Sequence, residues 1–561
     1  MVGLESTDTV FDVVIVGSGA GGLTAATVAA QRGLKVLVIE KTAVFGGTTA
    51  ISGGGLWIPN NPKMAGLGLA DTRGQAVNYI QAITGNFYEE GNVAAFLQYG
   101  PEMVRYLEEN TEVSFMGGLI PDYEPDQSGA TTGRTLLTVS YDGRKLGSRL
   151  LEIRPALDQF GVFGGMQIGF EDAAPFLSVL RSAKAFRYSA RVFGRYLWDR
   201  IRHGRATRLV NGNALVARLF QSATLSGAVL WNNAAVVRLV KRGGRVVGVV
   251  VQRHGREFEV LANCGVILAS GGYGANQAMR RENVPMPDEG WSLQPPGNTG
   301  DGIRLGENAG GVFVRENVAN GIWAPMSSMV SQSGIRTNFS HIMLDRHCPG
   351  FIVVNMQGKR FVNEGTSYQA FCKAMHNNDV SAAWLIGTHK GIRRYSMGLA
   401  KAAPLPIGKY ISNGYLKKGN TLTDLAEQIE IEPNVLAATV DRFNVNAEQG
   451  QDPDFGRGQD QYSRAQGDQE HRPNPSLGAL RSGPFYAVKL HPGELSTLNG
   501  LRTTPDSQVV EADGNIVSGL YAIGADANSV FAGAYPGGGA SLGPTMTFAY
   551  IAANHIASQC K

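Results

Sequence analysis

The chain opens on an apolar run, Phe11 to Val16 broken only by Asp12, and passes straight into Gly17-Ser18-Gly19-Ala20-Gly21-Gly22 and an alanine-rich stretch from Leu23 to Gln31. β-Branched residues, then glycines, then small helix formers predict strand, tight turn and helix in that order. Gly33 ends the predicted helix, and a second predicted strand, Lys35 to Glu40, stops on a carboxylate 18 residues after Gly22. The glycines let backbone approach a pyrophosphate, the helix start offers free N–H groups, and Glu40 is placed to accept bonds from a ribose diol. This is a dinucleotide fingerprint with its acid in position.

Further on, Val236 to Val240 and Arg245 to Val251 flank Gly243-Gly244 and predict a hairpin, so the sheet is mixed. The stretch 451–475 is polar and rich in Gly, Pro and acids, which predicts a surface loop. No apolar window approaches the roughly 18 residues of a membrane span, and the start carries acids in place of a signal sequence. A cytoplasmic chain is expected.

Composition narrows the picture. The 561 residues suffice for several domain-sized units, and 43% apolar content with 73 unperiodic glycines excludes collagen-like and disordered classes. Cys264, Cys348, Cys372 and Cys560 form no C-x-x-C pair, and His347 beside Cys348 lacks a spaced partner. Neither disulfides nor a metal are expected to organise the fold. The net charge of +4 is local in origin: residues 181–208 hold nine Lys and Arg against Asp199 alone, leaving the rest of the chain net acidic. One patch of this kind does not make a nucleic-acid surface.

The segment from Lys41 onward, with Gly46-Gly47-Thr48-Thr49 and Ser52-Gly53-Gly54-Gly55, resembles the flavoprotein family that includes fumarate reductases, succinate dehydrogenase flavoproteins and 3-ketosteroid dehydrogenases. Two later stretches resemble that family's further cofactor turns: Val266 to Gly274, containing Gly271, and Gly519 to Ala527, containing Gly524 and Asp526. The resemblance implies non-covalent FAD on Gly17, Gly19, Ala20, Gly21, Gly22, Glu40, Lys41, Gly47, Thr48, Thr49, Ser52, Gly53, Gly54, Gly271, Gly524, Asp526, Ser541 and Leu542. It also implies an α/β fold with an α+β insert: a Rossmann-like FAD-binding domain over 1–301 and 493–561, an inserted substrate domain over 302–492, and an extra basic segment near 175–210.

Tyr535-Pro536-Gly537-Gly538-Gly539, followed by Ser541-Leu542-Gly543-Pro544, is similar to the 3-ketosteroid Δ1-dehydrogenases. A phenol at Tyr535 beside the N–H of Gly539 would form a two-donor site for a carbonyl oxygen. Gly358 to Tyr368 and Pro121-Asp122-Tyr123 resemble the segments that carry that family's other two tyrosines. By resemblance Tyr368 takes a proton from steroid C2, Tyr123 supports its phenolate, and a hydride leaves C1 for the flavin. An isolated phenol has a pKa of about 10, so a base role needs such support. A quinone or other electron acceptor would close the cycle.

Other readings stay open in the sequence. A dicarboxylate reductase needs fixed cations, yet Gly493 to Arg502 lacks the histidine of that family's motif, with His491 just upstream. A Δ4(5α)-dehydrogenase would use a differently placed tyrosine. A flavin-containing scaffold draws support from Arg181, Lys184, Arg187, Arg191 and Arg195 with Phe186, Phe193, Leu197 and Ile201, spaced as a basic amphipathic helix. That helix suits an anionic membrane surface or a solvated face packed on the flavin domain, and the extra segment could equally accommodate a long C17 side chain.

Overall fold

In the computed structural model, which describes residues 9–284 and 290–560, strand β1 (Val10–Val16) lies inside an eight-stranded sheet. Its glycine turn feeds α1 (Ala20–Gln31), and β2 (Val36–Ile39) pairs parallel beside it, with Val229–Trp231 beyond. On the other flank β1 pairs parallel with β3 (Arg256–Leu268), which pairs parallel with Ile516–Ala522. β1 and β2 are apolar without alternation because both faces of a parallel sheet are covered. Helix α1 packs against the last helix, so N- and C-terminal segments share one core.

The predicted hairpin is present: Ala234–Arg242 and Arg245–Arg253 pair antiparallel around Gly243 and Gly244, both at positive φ. A second sheet of six strands is antiparallel throughout. Its long members are β4 (Gly321–Val330) and β5 (Phe485–Thr497), joined by Arg336–Ser340, Phe351–Asn355, Ala383–Thr388 and Lys417–Gly419. Strand β5 runs through the expected boundary at residue 492 and remains paired with β4 as far as Thr497.

The basic segment forms α2 (Ala183–His203), capped by the Ser182 hydroxyl and ended by Gly204 at φ 72°. Ala185, Ser189, Tyr196 and Asp199 make its buried stripe. Not all of the basic segment's charge is free: Arg195 pairs with Asp142 at 3.1 Å, and Arg208, beyond the helix, with Asp172 at 2.9 Å. Among the described residues no helix is long and apolar enough to cross a membrane.

Two expectations are corrected. Cys264 and Cys560 form a disulfide that ties the end of the C-terminal helix to β3. Their 296-residue separation conceals this, because the fold brings the chain's end back onto its sheet. The stretch 451–475 is not merely surface loop: Asp452, Arg457, Tyr462, Ser463 and Asn474 are all buried. Its polar residues are spent inside, where Arg360 binds both Asp452 and Glu364 and Arg457 donates to the Phe351 carbonyl.

Candidate active site

The glycine turn has the geometry the fingerprint demands. Gly17 sits at φ 112°, and a Cβ there would lie 2.2 Å from the Ala269 carbonyl oxygen; one on Gly22 would lie 2.0 Å from that of Gly17. These glycines let turn, helix and neighbouring strand touch. Gly19 and Gly47 differ, since Cβ atoms there would meet nothing closer than 3.6 and 3.8 Å. They line open space at the start of α1, a cradle suited to a pyrophosphate at a helix N-terminus. Thr49 Oγ1 accepts from the Ala20 N–H at 3.0 Å, so Ala20 contributes its backbone to the cradle's frame.

Glu40 is buried where β2 ends. It accepts from the Ser18 hydroxyl at 2.6 Å and the Thr42 hydroxyl at 2.8 Å, which fix the carboxylate and leave lone pairs for a ribose. Lys41 is turned to Thr299 and Asp301. Asn298 donates to Thr48 Oγ1 and to the Gly271 carbonyl, joining two of the predicted turns. Ser52 bonds the Thr49 carbonyl and accepts from the Gly54 N–H, shaping the loop that contains Gly53. Asp526 is fully buried and accepts from the Ser270 and Gly272 N–H groups, so it fastens the Gly271 turn. Gly524 lies at φ 63° with a Cβ position 3.3 Å from Thr545, packing this turn on the last helix. Residues of this kind fit FAD: a glycine cradle, a helix start and a fixed acid.

Three tyrosines far apart in sequence meet at one point. Tyr123 and Tyr368 have ring centroids 5.3 Å apart, and each lies 5.8 Å from Tyr535. Tyr368 begins α3 (Tyr368–Asn377), in the turn where a helix carries partial positive charge. Tyr535 precedes α4 (Leu542–Gln559); burial raises its pKa, opposed by hydrogen bonds with Tyr368 and with Ser541 at the helix N-cap. Burial pushes Tyr368 and Tyr123 well above the ordinary tyrosine value; the bond from Tyr368 opposes this at Tyr123.

The glycine turn after Tyr535 is pinned from several sides. Tyr79 hydroxyl and Tyr123 N–H both donate to the Pro536 carbonyl at 2.9 Å, and Thr135 hydroxyl donates to that of Gly538 at 2.9 Å. Gly539, at φ 93°, must lack a Cβ, since one there would lie 2.3 Å from the Gly55 oxygen. Below them Asp122 accepts from Trp57 and Arg134; burial pushes its carboxyl up to about 6 while Arg134 opposes.

A fourth phenol, Tyr462, escapes the sequence reading because it lies in the stretch taken for a surface loop. Its ring centroid is 5.1 Å from that of Tyr123. The residues that would keep a dicarboxylate site alive do not gather: His491 stacks on Trp291 with centroids 4.2 Å apart, and Arg502 is exposed.

Such a cradle beside a phenol cluster defines a flavoprotein dehydrogenase, and residues 12–542 match the family described as FAD binding domain. The chain belongs to that family, in the branch that includes the 3-oxosteroid 1-dehydrogenases. It is 34% identical to the 3-oxosteroid 1-dehydrogenase of Mycobacterium tuberculosis strain H37Rv, over 98% of both chains. It is 38% identical to the 4-oxocyclohex-2-ene-1-carboxylate 5-dehydrogenase of Sinomonas cyclohexanicum, over 97% of this chain and 93% of that one. Among solved structures, the 3-ketosteroid Δ1-dehydrogenase of Sterolibacterium denitrificans in complex with 1,4-androstadiene-3,17-dione superposes with a TM-score of 0.90 at 34% identity, covering 98% of this chain and 100% of that one.

Proposed function

We propose that the protein desaturates the C1–C2 bond of 3-ketosteroids to give 1,4-dien-3-ones. The observation that carries this is the meeting of Tyr123, Tyr368 and Tyr535 at a single point beside the Gly537–Gly539 turn. Tyr535 and the Gly539 N–H hold the 3-keto oxygen, and the charge drawn onto it acidifies the C2 hydrogen. Tyr368 receives the C2 proton, with Tyr123 stabilising it by hydrogen bonding. FAD, when bound on the Gly19 and Gly47 cradle, supplies the two-electron oxidant that accepts the C1 hydride. The Pro536 and Gly538 carbonyl anchors keep the turn still, which holds the ketone in register with Tyr368.

The Sinomonas relative favours a second reading, a monocyclic ring ketone bearing a carboxylate. Both names describe loss of hydrogen beside a ring carbonyl, so one tyrosine site serves either substrate. Purified FAD-loaded protein given an artificial electron acceptor and each ketone separately decides between them. A 1,4-dien-3-one identified by mass and NMR from the steroid supports the first; turnover of the cyclohexenone carboxylate alone replaces it with the second.

The reading extends to place and electron acceptor: the enzyme works on the inner face of the cell membrane and passes electrons to a quinone. Helix α2 supports the membrane contact alone, since Phe186, Leu197, Trp198 and Ile201 are exposed beside exposed Lys184, Arg187 and Arg191. Sedimentation with anionic vesicles should carry the wild type down and leave a Trp198→Ser, Ile201→Ser double variant in solution; equal sedimentation removes this part of the reading.

A further inference from the structure

Tyr462 and Arg346 have no part in the chemistry described so far, yet both are buried against it. Tyr462 is 2% exposed and stands edge-on to Tyr123. Arg346 is fully buried. Its Nε donates to the His341 carbonyl and its Nη1 to the carbonyls of Glu364 and Thr366, while Nη2 makes no hydrogen bond among the described residues. A buried guanidinium with an unspent donor pair is costly unless some anion answers it. Its strongest favourable interaction is with Tyr462.

The turn that carries Arg346 is held hard in place. Leu344 stands at φ 58°, a conformation a bulky residue adopts only under constraint. Asp345 supplies that constraint: its carboxylate bonds His341 Nδ1 at 2.7 Å, the Gly398 N–H and the Arg346 N–H. His341 Nε2 in turn meets Ser327 Oγ at 2.7 Å. This Ser-His-Asp set mimics a hydrolase triad, but Ser327 has no exposure and its hydroxyl is taken by Tyr415 at 2.6 Å, so it serves as a clamp.

We propose that Tyr462 is the far end of a phenol relay, Tyr368 to Tyr123 to Tyr462, and that when this cluster gives up a proton the negative charge settles at Tyr462, beside the fixed Arg346 guanidinium. The inference rests on the proposed dehydrogenation. Tyr368 passes its hydroxyl proton to Tyr123, which passes its own to Tyr462. The C2–H bond of the ketone breaks toward Tyr368 oxygen, restoring that hydroxyl, and the C2 electron pair enters the new C1=C2 bond as the C1 hydride leaves, to be accepted by FAD when it is bound. Tyr462 ends neutral and must give up that proton again before the next turnover, a step that rising pH favours.

The pKa directions agree with that direction of travel. Tyr368 and Tyr123 lie well above the ordinary range, whereas Tyr462 is pushed by burial only to about 12, with Arg346 and the bond from Tyr123 holding it down. The other groups facing Tyr462 do not supply a competing positive charge. His347, with its ring centroid 6.2 Å away, is kept neutral by burial and by Arg346, and Asp460 on its own helix opposes the anion. Tyr462 is thus a positioning residue, acting on substrate only through Tyr123 and Tyr368.

Tyr462→Phe, which keeps the packing, is the test, read on FAD-loaded protein with a 3-keto-4-ene steroid under anaerobic conditions. We expect unchanged FAD absorbance and KM, flavin reduction slowed about 10- to 100-fold at neutral pH, and a rising pH limb moved upward. A more acidic 3-fluorotyrosine at position 462 should move the limb downward. A second readout needs no substrate: the ultraviolet difference between wild type and Tyr462→Phe should show one tyrosinate that ionises ahead of those in Tyr368→Phe-insensitive positions. An unchanged rate and limb in Tyr462→Phe, or no such tyrosinate, overturns the relay. If wild type does not reduce its flavin with the steroid, the proposed function fails instead, and the tyrosinate difference still decides the relay.

Discussion

At the scale of single residues, phenols that look alike in sequence carry separate duties. Tyr535 is to polarise the ketone, so Tyr535→Phe should slow flavin reduction about 100- to 1000-fold while FAD stays bound, measured by stopped-flow bleaching. Tyr368 is to receive the proton, and a phenol must be ionised to do so. Because burial raises its pKa, the ionised fraction grows with pH, and the reduction rate should climb from neutral into alkaline solution. A flat profile would remove the base role. Tyr123, Tyr368 and Tyr535 were legible because each sits in a distinctive motif. Tyr462 was not, since its neighbours Gln461 and Ser463 are polar and only the folded chain turns it inward.

Elements rather than residues explain the cofactor cradle. The glycine turn between β1 and α1 could be read directly, because strand, turn, helix and acid follow at fixed spacing. Gly17→Ala should lose bound FAD, since the new methyl would enter the Ala269 carbonyl at positive φ; absorbance of the purified variant at the flavin band checks this. Tyr79→Phe is subtler. It removes one donor from the Pro536 carbonyl and leaves the Tyr123 N–H in place, so it should cost about 1 kcal/mol in urea unfolding while slowing turnover. Nothing in the sequence signalled that support. A tyrosine on an amphipathic helix looks the same whether its hydroxyl meets water or a carbonyl 457 residues away.

For the whole molecule, the sequence announced a mixed FAD-binding sheet with an insert, because the fingerprint at the start and the turns near residues 271 and 524 belong to one sheet, whereas the insert's own six-stranded sheet emerged only in the fold. It concealed the long-range ties. The Cys264–Cys560 disulfide and the Asp452–Arg360 pair depend on chain paths that no local pattern encodes. Buried phenols also set the molecule's alkaline limit. Their folded pKa values exceed the unfolded value of about 10, so the unfolded chain sheds protons first. Stability is therefore intact below about pH 10 and falls as pH rises toward the folded values. Thermal unfolding of the holoenzyme between neutral and strongly alkaline pH should show Tm falling only above that point.

The most direct measurement is anaerobic mixing of the yellow holoenzyme with a 3-keto-4-ene steroid, following flavin absorbance and identifying the product. The account predicts bleaching in wild type, a 1,4-dien-3-one in the quenched mixture, and bleaching slowed by orders of magnitude in Tyr368→Phe with its FAD still bound. A flavin that stays oxidised with the steroid, or a Tyr368→Phe variant that bleaches as fast as wild type, would contradict it.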